Sequence, residues 1–337
     1  MEIFEWIEKA LGPKQVNSVT FMYNSMESQS GFCLPIIYQP FDATKRSHWR
    51  DRGSVLDFLF ATRCGSKRVL DFGPGDGWPS LVISPYVREV VGVDGSEKRV
   101  SVCKMNAGRM GVANARFIHV APGHALPFDE GSFDAVVAAS SIEQTPDPRR
   151  AIKECCRVLR PGGRLRIFYE ALSDYRNGKE RELFFDSNEK GNCVLTLYDR
   201  RIDDEIANMY KIRFTVPCRN VFSVLLEGGK RVEEIDFHSL SISKLEHLKA
   251  AIAGLEKCTL THPSCETLVG WMQDSGFREV YPSQSGAKAA SEIFDGIPAR
   301  ERPKTWEGVD AMLKAEVKVA VEQDAPLAED PLITAVK

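Results

Sequence analysis

The run Val69-Leu-Asp71-Phe-Gly73-Pro-Gly75-Asp-Gly77 constrains this chain more than any other feature. An apolar strand ends in a carboxylate, and three glycines then alternate with other residues ahead of a helical pattern. Glycine permits dihedrals closed to other residues and lets backbone approach a ligand closely, and the start of a following helix offers unpaired amide donors. The dinucleotide fingerprint G-x-G-x-x-G seats a pyrophosphate. Here the spacing is G-x-G-x-G with Asp71 two residues upstream. A carboxylate at that turn repels a pyrophosphate and favours a cationic ammonium or sulfonium group, directly or through water. The plainer alternatives are an ordinary tight strand–helix turn for the glycines and helix capping for Asp71.

The surroundings repeat one unit. Arg68–Asp71, Val90–Asp94, Ala115–Val120, Asp134–Ala138 and Arg164–Phe168 read as strands, with helical patterns between them, clearest at 148–159. That alternation predicts a doubly wound, mostly parallel α/β sheet covered on both faces. Asp94 ends the second strand, where a carboxylate accepts from both ribose hydroxyls of an adenosine ligand; NAD-binding folds use the same position. The pattern then changes. Alternating, β-branched runs at 194–198, 210–216, 221–226 and 232–237, with a turn at 227–230, predict inserted antiparallel strands followed by a helix around 243–255. A helix at 264–276, a strand at Phe277–Tyr281, a helix at 304–323 and a final strand within 331–337 complete the reading. The expected organisation is a helical cap over 1–65, a nucleotide-binding core over 66–170, a β-rich segment over 171–262 and completion of the core sheet over 263–337.

On these residues the segment 66–170 resembles the class I S-adenosylmethionine (SAM)-dependent methyltransferases, the type 11 methyltransferases of ubiquinone and menaquinone biosynthesis in particular. Asp71, Gly73, Gly75 and Gly77 match the first motif of that family and Asp94 its ribose-binding acid. Ala125-Leu-Pro-Phe128 with Gly131-Ser-Phe-Asp134, Ile142-Glu143-Gln144 with Asp147, and Leu159-Arg-Pro-Gly-Gly163 match its later motifs. The resemblance implies a Rossmann-like seven-stranded sheet, SAM as cofactor with S-adenosylhomocysteine as product, and a transferase. It also implies cofactor contacts from Asp71, Gly73, Gly75, Gly77, Asp94, Gly123, His124 and Ser140. Two departures stand out: Ala121-Pro-Gly-His124 lacks the carboxylate that relatives place on the adenine amine, and Gln144 stands where relatives often have His.

Methyl transfer is an in-line displacement whose donor is already activated, so alignment and desolvation supply much of the rate, and a base is needed only for a protonated nucleophile. The catalytic candidates are therefore groups near the C-terminal strand ends: Ser140, Ser141 and Glu143 after the fourth strand, and Tyr169 and Glu170 after the fifth. Tyr23, His48 and Trp49 are the N-terminal candidates to fold over the cofactor, with helix packing the favoured reading for His48 and Trp49. The inserted aromatics Phe184, Phe185, Tyr198, Tyr210, Phe214, Phe222 and Phe237 suit an apolar acceptor pocket, a homodimer interface or simply a core of their own.

The net charge of −3 gives no general attraction for phosphate backbones, and the cluster Lys45, Arg46, Arg50, Arg52 reads as a solvated helix face. The expected partner is a small-molecule acceptor, with no nucleic acid. Protein or RNA methylation, a non-catalytic SAM-binding protein and a nicotinamide oxidoreductase remain as alternatives. Nine scattered cysteines, none in a C-x-x-C pair and none at zinc-ligand spacing to a histidine, suit reduced thiols in a cytoplasm and predict no metal site. No secretory signal and no membrane span are expected, since no run of 18 apolar residues occurs.

Overall fold

The computed structural model describes residues 2–18, 21, 40–226, 231–329 and 331–337. In chain order the strands are β1 (Lys14–Gln15), β2 (Arg68–Phe72), β3 (Glu89–Asp94), β4 (Ala115–His119), β5 (Phe133–Ala139) and β6 (Leu159–Phe168). They continue as β7 (Arg181–Ser187), β8 (Cys193–Arg201), β9 (Ile206–Phe214), β10 (Ile252–Thr261), β11 (Glu279–Ser283) and β12 (Leu332–Val336). The chain divides into two compact units, residues 29–171 with 263–337 and residues 1–28 with 172–262.

The first unit is built on a seven-stranded sheet in the order β11-β12-β6-β5-β2-β3-β4. Strands β2 to β6 run parallel, and β12 is antiparallel to both β6 and β11. The central strands are apolar on both faces because helices cover both: Leu70, Val91, Val136 and Ala138 pack on one side, Val69, Val90, Ala135 and Val137 on the other. The chain leaves β2 toward β3 on one side, while β5 and β6 lie on the other. This reversal opens a crevice beyond the C-terminal ends of β2 and β5, where open α/β sheets bind ligands.

The Arg46–Thr62 helix is locked to this sheet by a buried ion pair. Arg166 of β6 donates to Asp57 at 2.7 and 2.9 Å, and also to Ser283 Oγ and Thr334 Oγ1 at 2.8 and 3.0 Å. Asp57 in turn accepts from the backbone of Gly286, at the start of the Gly286–Gly296 helix. The two helices touch backbone to backbone there: a Cβ on Gly53 would lie 2.4 Å from the Gly286 carbonyl oxygen.

The second unit carries a five-stranded sheet in the order β1-β10-β9-β8-β7, antiparallel except for β1 against β10. Period-two alternation explains it: Cys193, Leu195, Leu197, Tyr210, Ile212 and Phe214 form one apolar face that packs with Phe4, Ile7, Val221 and Leu245. Phe185, Tyr210, Phe214 and Phe237 are spent in or on this core and Phe222 packs edge-on against Phe185, while Phe184 stays 52% exposed.

Several expectations are corrected. Residues 221–226 are not a strand; Cys218–Leu225 is a helix, because Val221 and Leu225 share a buried face at i,i+4 spacing. Val232–Glu234 and Phe237–Ser239 are short 3-10 turns instead, the first held by Arg231 N–H donating to Glu234 Oε2 and the second by a capping box of Asp236 with Ser239. The helix expected over 243–255 stops at Leu248, and 252–261 is β10. Strand β7 and the Gly286–Gly296 helix were not expected. The described residues of 1–65 fall in both units: those up to 21 group with 172–262, and the Arg46–Thr62 helix with the parallel sheet. The turn expected at 227–230 lies outside the described residues.

Candidate functional site

The glycine-rich turn forms the floor of the crevice. Gly73, Gly75 and Gly77 all have positive φ, at 77°, 62° and 112°. At Gly73 a side chain is excluded twice, by φ and by Ser141, whose Cβ would lie 2.4 Å from an added Cβ. The turn is tied from three directions. Gly73 N–H donates to the Val93 carbonyl at 2.8 Å, Ser141 Oγ donates to the Phe72 carbonyl, and Gly75 N–H donates to Asp94 Oδ2 at 3.2 Å. The Glu97–Met110 helix adds Asn106 Nδ2 to the Asp76 carbonyl at 2.8 Å and Cys103 Sγ to the Gly75 carbonyl at 3.3 Å. Asn106 and Cys103 escaped the sequence reading; their i,i+3 spacing on a helix that follows Asp94 was the available signal.

Asp71 and Asp94 stand at the ends of adjacent strands, and both are withdrawn from water. Asp71 is fully buried; its Oδ2 accepts from Ser80 N and Oγ at 3.0 and 2.6 Å, and its Oδ1 has no partner. Burial pushes its carboxyl up to about 7 against the pull of Ser80, and Asp94 adds to the rise. The capping alternative therefore describes one oxygen of Asp71, and the other is left over. Asp94 accepts from Ser96 N–H at 2.9 Å besides Gly75; burial raises its carboxyl, and these two donors oppose the rise. Asp76 in the turn itself is raised to about 6, again by burial.

On the other side of β2, Ser140 directly follows β5 with φ of 48°, a conformation costly for a residue with a side chain. It is held by its N–H on the Phe168 carbonyl at 2.6 Å and by Gln144 Nε2, which donates to its own carbonyl at 2.8 Å. Gln144, the departure from the resemblance, thus braces a strand end. Glu143 is buried; Oε1 accepts from Glu170 N–H at 3.2 Å and Oε2 has no partner. Burial first, then the Glu170 carboxylate, pushes Glu143 up to about 7.

The remaining sequence candidates separate. Gly123 has φ of 79° in the loop after β4, and the His124 imidazole is exposed with Nδ1 3.2 Å from the Ala121 carbonyl. Tyr169 is buried in the core beside Ile167 and Ala171. Trp49 does not reach over the crevice: it is fully buried, donates to the Ala43 carbonyl at 3.0 Å and packs edge-on against Phe294. His48 is buried too, its Nδ1 accepting from Asp42 N–H at 3.0 Å, and it lines a separate cavity of about 280 Å3 with Phe41, Tyr86 and Trp306. Burial lowers its pKa. Tyr23 lies outside the described residues. No group of three or more His, Cys, Asp or Glu able to hold a metal occurs among the described residues, and none of their helices is long and apolar enough to cross a membrane.

A desolvated acidic crevice at the reversal point of a parallel sheet, floored by glycines, resembles the cofactor site of the class I methyltransferases. The comparisons agree: a family model described as a methyltransferase domain matches residues 70–167. An uncharacterized methyltransferase, YcgJ, of Bacillus subtilis is 40% identical over 97 residues, 29% of this chain and 38% of its own. A demethylmenaquinone methyltransferase of Clavibacter sepedonicus is 36% identical over 101 residues, covering 30% and 40%. The 27-O-demethylrifamycin SV methyltransferase of Amycolatopsis mediterranei is 36% identical over 140 residues, covering 38% and 49%. The chain spans from 38% to 51% of the length of such curated relatives. It carries a class I SAM-dependent methyltransferase domain resembling the menaquinone branch, and SAM is the cofactor of that class. The residues present fit it: Gly73, Gly75 and Gly77 hold the turn in left-handed conformations that let backbone approach a ligand closely, and Asp71 Oδ1 is left without a partner for a cationic adenosyl compound.

Proposed function

We propose that the protein transfers the methyl group of SAM to a small organic acceptor. The observation that carries this is Asp71: a carboxylate with no exposure and one oxygen without a partner, beside the glycine turn. An unpaired buried acceptor is costly, and a cationic ligand relieves that cost. A pyrophosphate would be repelled there, which disfavours a nicotinamide oxidoreductase.

When bound, the cofactor supplies a methyl group on a positively charged sulfur. The chain supplies the rest. Asp71 and Asp94 attract and orient the cationic adenosyl compound, and the braced turn at 73–77 keeps water out and fixes its direction. Glu143, raised toward neutrality, is the group best suited to take a proton from an acceptor hydroxyl or amine. Relatives named for a quinone precursor and for rifamycin support a small acceptor. The net charge of −3 supports it over a nucleic acid. We read the compartment as cytoplasmic, in line with eight free cysteines among the described residues.

Titration calorimetry with SAM and S-adenosylhomocysteine tests the proposal. Micromolar binding of both is expected, and Asp94→Ala should weaken it at least fivefold. Folded protein that gives no heat with either compound would overturn the reading.

A further inference from the structure

The basic cluster that reads as a solvated helix face divides in the structure. Arg52 is buried on Asp310, donating at 2.7 and 2.5 Å, and Arg46 closes bidentately on Asp295. Arg50 forms no ion pair among the described residues and lines a cavity of about 550 Å3. Lys288, from the Gly286–Gly296 helix, lines the same cavity and is likewise without an ion pair among the described residues. Trp78 and Phe168 give it apolar walls. Both belong to segments already placed at the crevice: Trp78 follows Gly77 directly, and the Phe168 carbonyl receives the Ser140 N–H.

Two uncompensated cations on the wall of a concave surface concentrate a positive potential inside it. A guanidinium offers a fork that matches a carboxylate, and a lysine adds a point charge. Half-buried aromatic walls favour a flat ring. A polyanion would meet Asp51, the one carboxylate on the lining. Asp51 Oδ2 is buried without a partner, and burial pushes its carboxyl up to about 6 while Arg50 opposes this. A single negative charge is repelled less by this one carboxylate than a polyanion is.

We infer that this cavity is the acceptor subsite and that it takes a flat organic monoanion, with Arg50 and Lys288 on the carboxylate and Trp78 and Phe168 against the ring. In calling it the acceptor's subsite the inference rests on the proposed methyl transfer; the binding chemistry does not.

The test is titration of the full chain, saturated with S-adenosylhomocysteine, with 2-naphthoate and its neutral analogue 2-naphthamide, followed by calorimetry and ligand-observed NMR. The naphthoate should bind at least tenfold more tightly than the amide. Arg50→Gln and Lys288→Gln, both exposed positions, should each weaken it fivefold or more and leave the S-adenosylhomocysteine affinity unchanged. Asp51→Asn should tighten it. Equal binding of acid and amide, indifference to both cation substitutions, or no naphthoate binding by protein that binds S-adenosylhomocysteine would overturn the inference. Naphthoate binding that depends on Arg50 in protein that fails to bind S-adenosylhomocysteine would keep the anion site and sink the cofactor reading instead.

Discussion

Asp71 makes a trade that a single substitution can expose. In the folded chain its carboxyl is raised to about 7, far above its ordinary value of 3.8. The folded state therefore holds a proton that the unfolded state releases, and stability contributed below about pH 4 is lost as the pH rises through 7. Asp71→Asn keeps an oxygen for Ser80 and removes the ionisation. Thermal melts without ligand should show the variant gaining on the wild type between pH 5 and pH 8, while its affinity for S-adenosylhomocysteine falls tenfold or more. A variant that loses stability at pH 8 would show that the charged carboxylate is a structural group. Glu143, raised to about 7 by burial, should behave in the same direction when changed to Gln. The position of Asp71 was legible in the sequence, because a carboxylate closing a strand before G-x-G-x-G has few uses. Its unpaired oxygen was not, since that depends on where Ser80 falls after the turn. For Trp49 the helix-packing reading holds: spacing places it on a helix, and Phe294, far along the chain, covers that face.

At the scale of elements, the sequence was most readable where burial on both faces demands continuous apolar runs. Strands β2 to β5 fall within a residue or two of their expected bounds. It was least readable where one β-branched run serves either structure. Val221-Phe-Ser-Val-Leu-Leu226 scores as a strand by composition, yet its neighbours offer one face to cover, and a helix covers it with Val221 and Leu225. The Gly286–Gly296 helix was missed because its purpose is tertiary: Gly286 meets Gly53 and donates its N–H to Asp57. That junction governs the Arg46–Thr62 helix, and with it both cavities beside the crevice. Asp57→Ala leaves the fully buried guanidinium of Arg166 without its carboxylate. Breaking a buried pair from one side costs about 3–5 kcal/mol, so urea unfolding should show a loss of that order. The double change Asp57→Ala with Arg166→Met, which removes both charges, should recover part of it. Equal loss in the single and double variants would mean that the pair matters through packing rather than charge.

For the molecule as a whole, the division into two units has a consequence for ligand linkage. Every residue assigned to the cofactor lies within 29–171, whereas 172–262, with β1, forms its own five-stranded sheet with its own core around Leu195, Ile212 and Phe214. A ligand that binds only the native state stabilises by RT ln(1 + [L]/Kd), about 2.7 kcal/mol at a hundredfold excess over Kd. That energy enters through amides the ligand itself protects or through strands whose opening would release it. Hydrogen exchange with saturating S-adenosylhomocysteine should therefore slow the amides of Gly73, Gly75 and Ser96 and those of β2, β3 and β5. These strands carry the crevice, and their opening destroys it. The amides of β8 and β9 bond to one another and to β7 and β10 within their own sheet, so their exchange should stay within twofold of the ligand-free rate. Protection that spreads equally into β8 and β9 would show that the two units open as one, and the inserted sheet would then have to be counted among the elements that hold the cofactor.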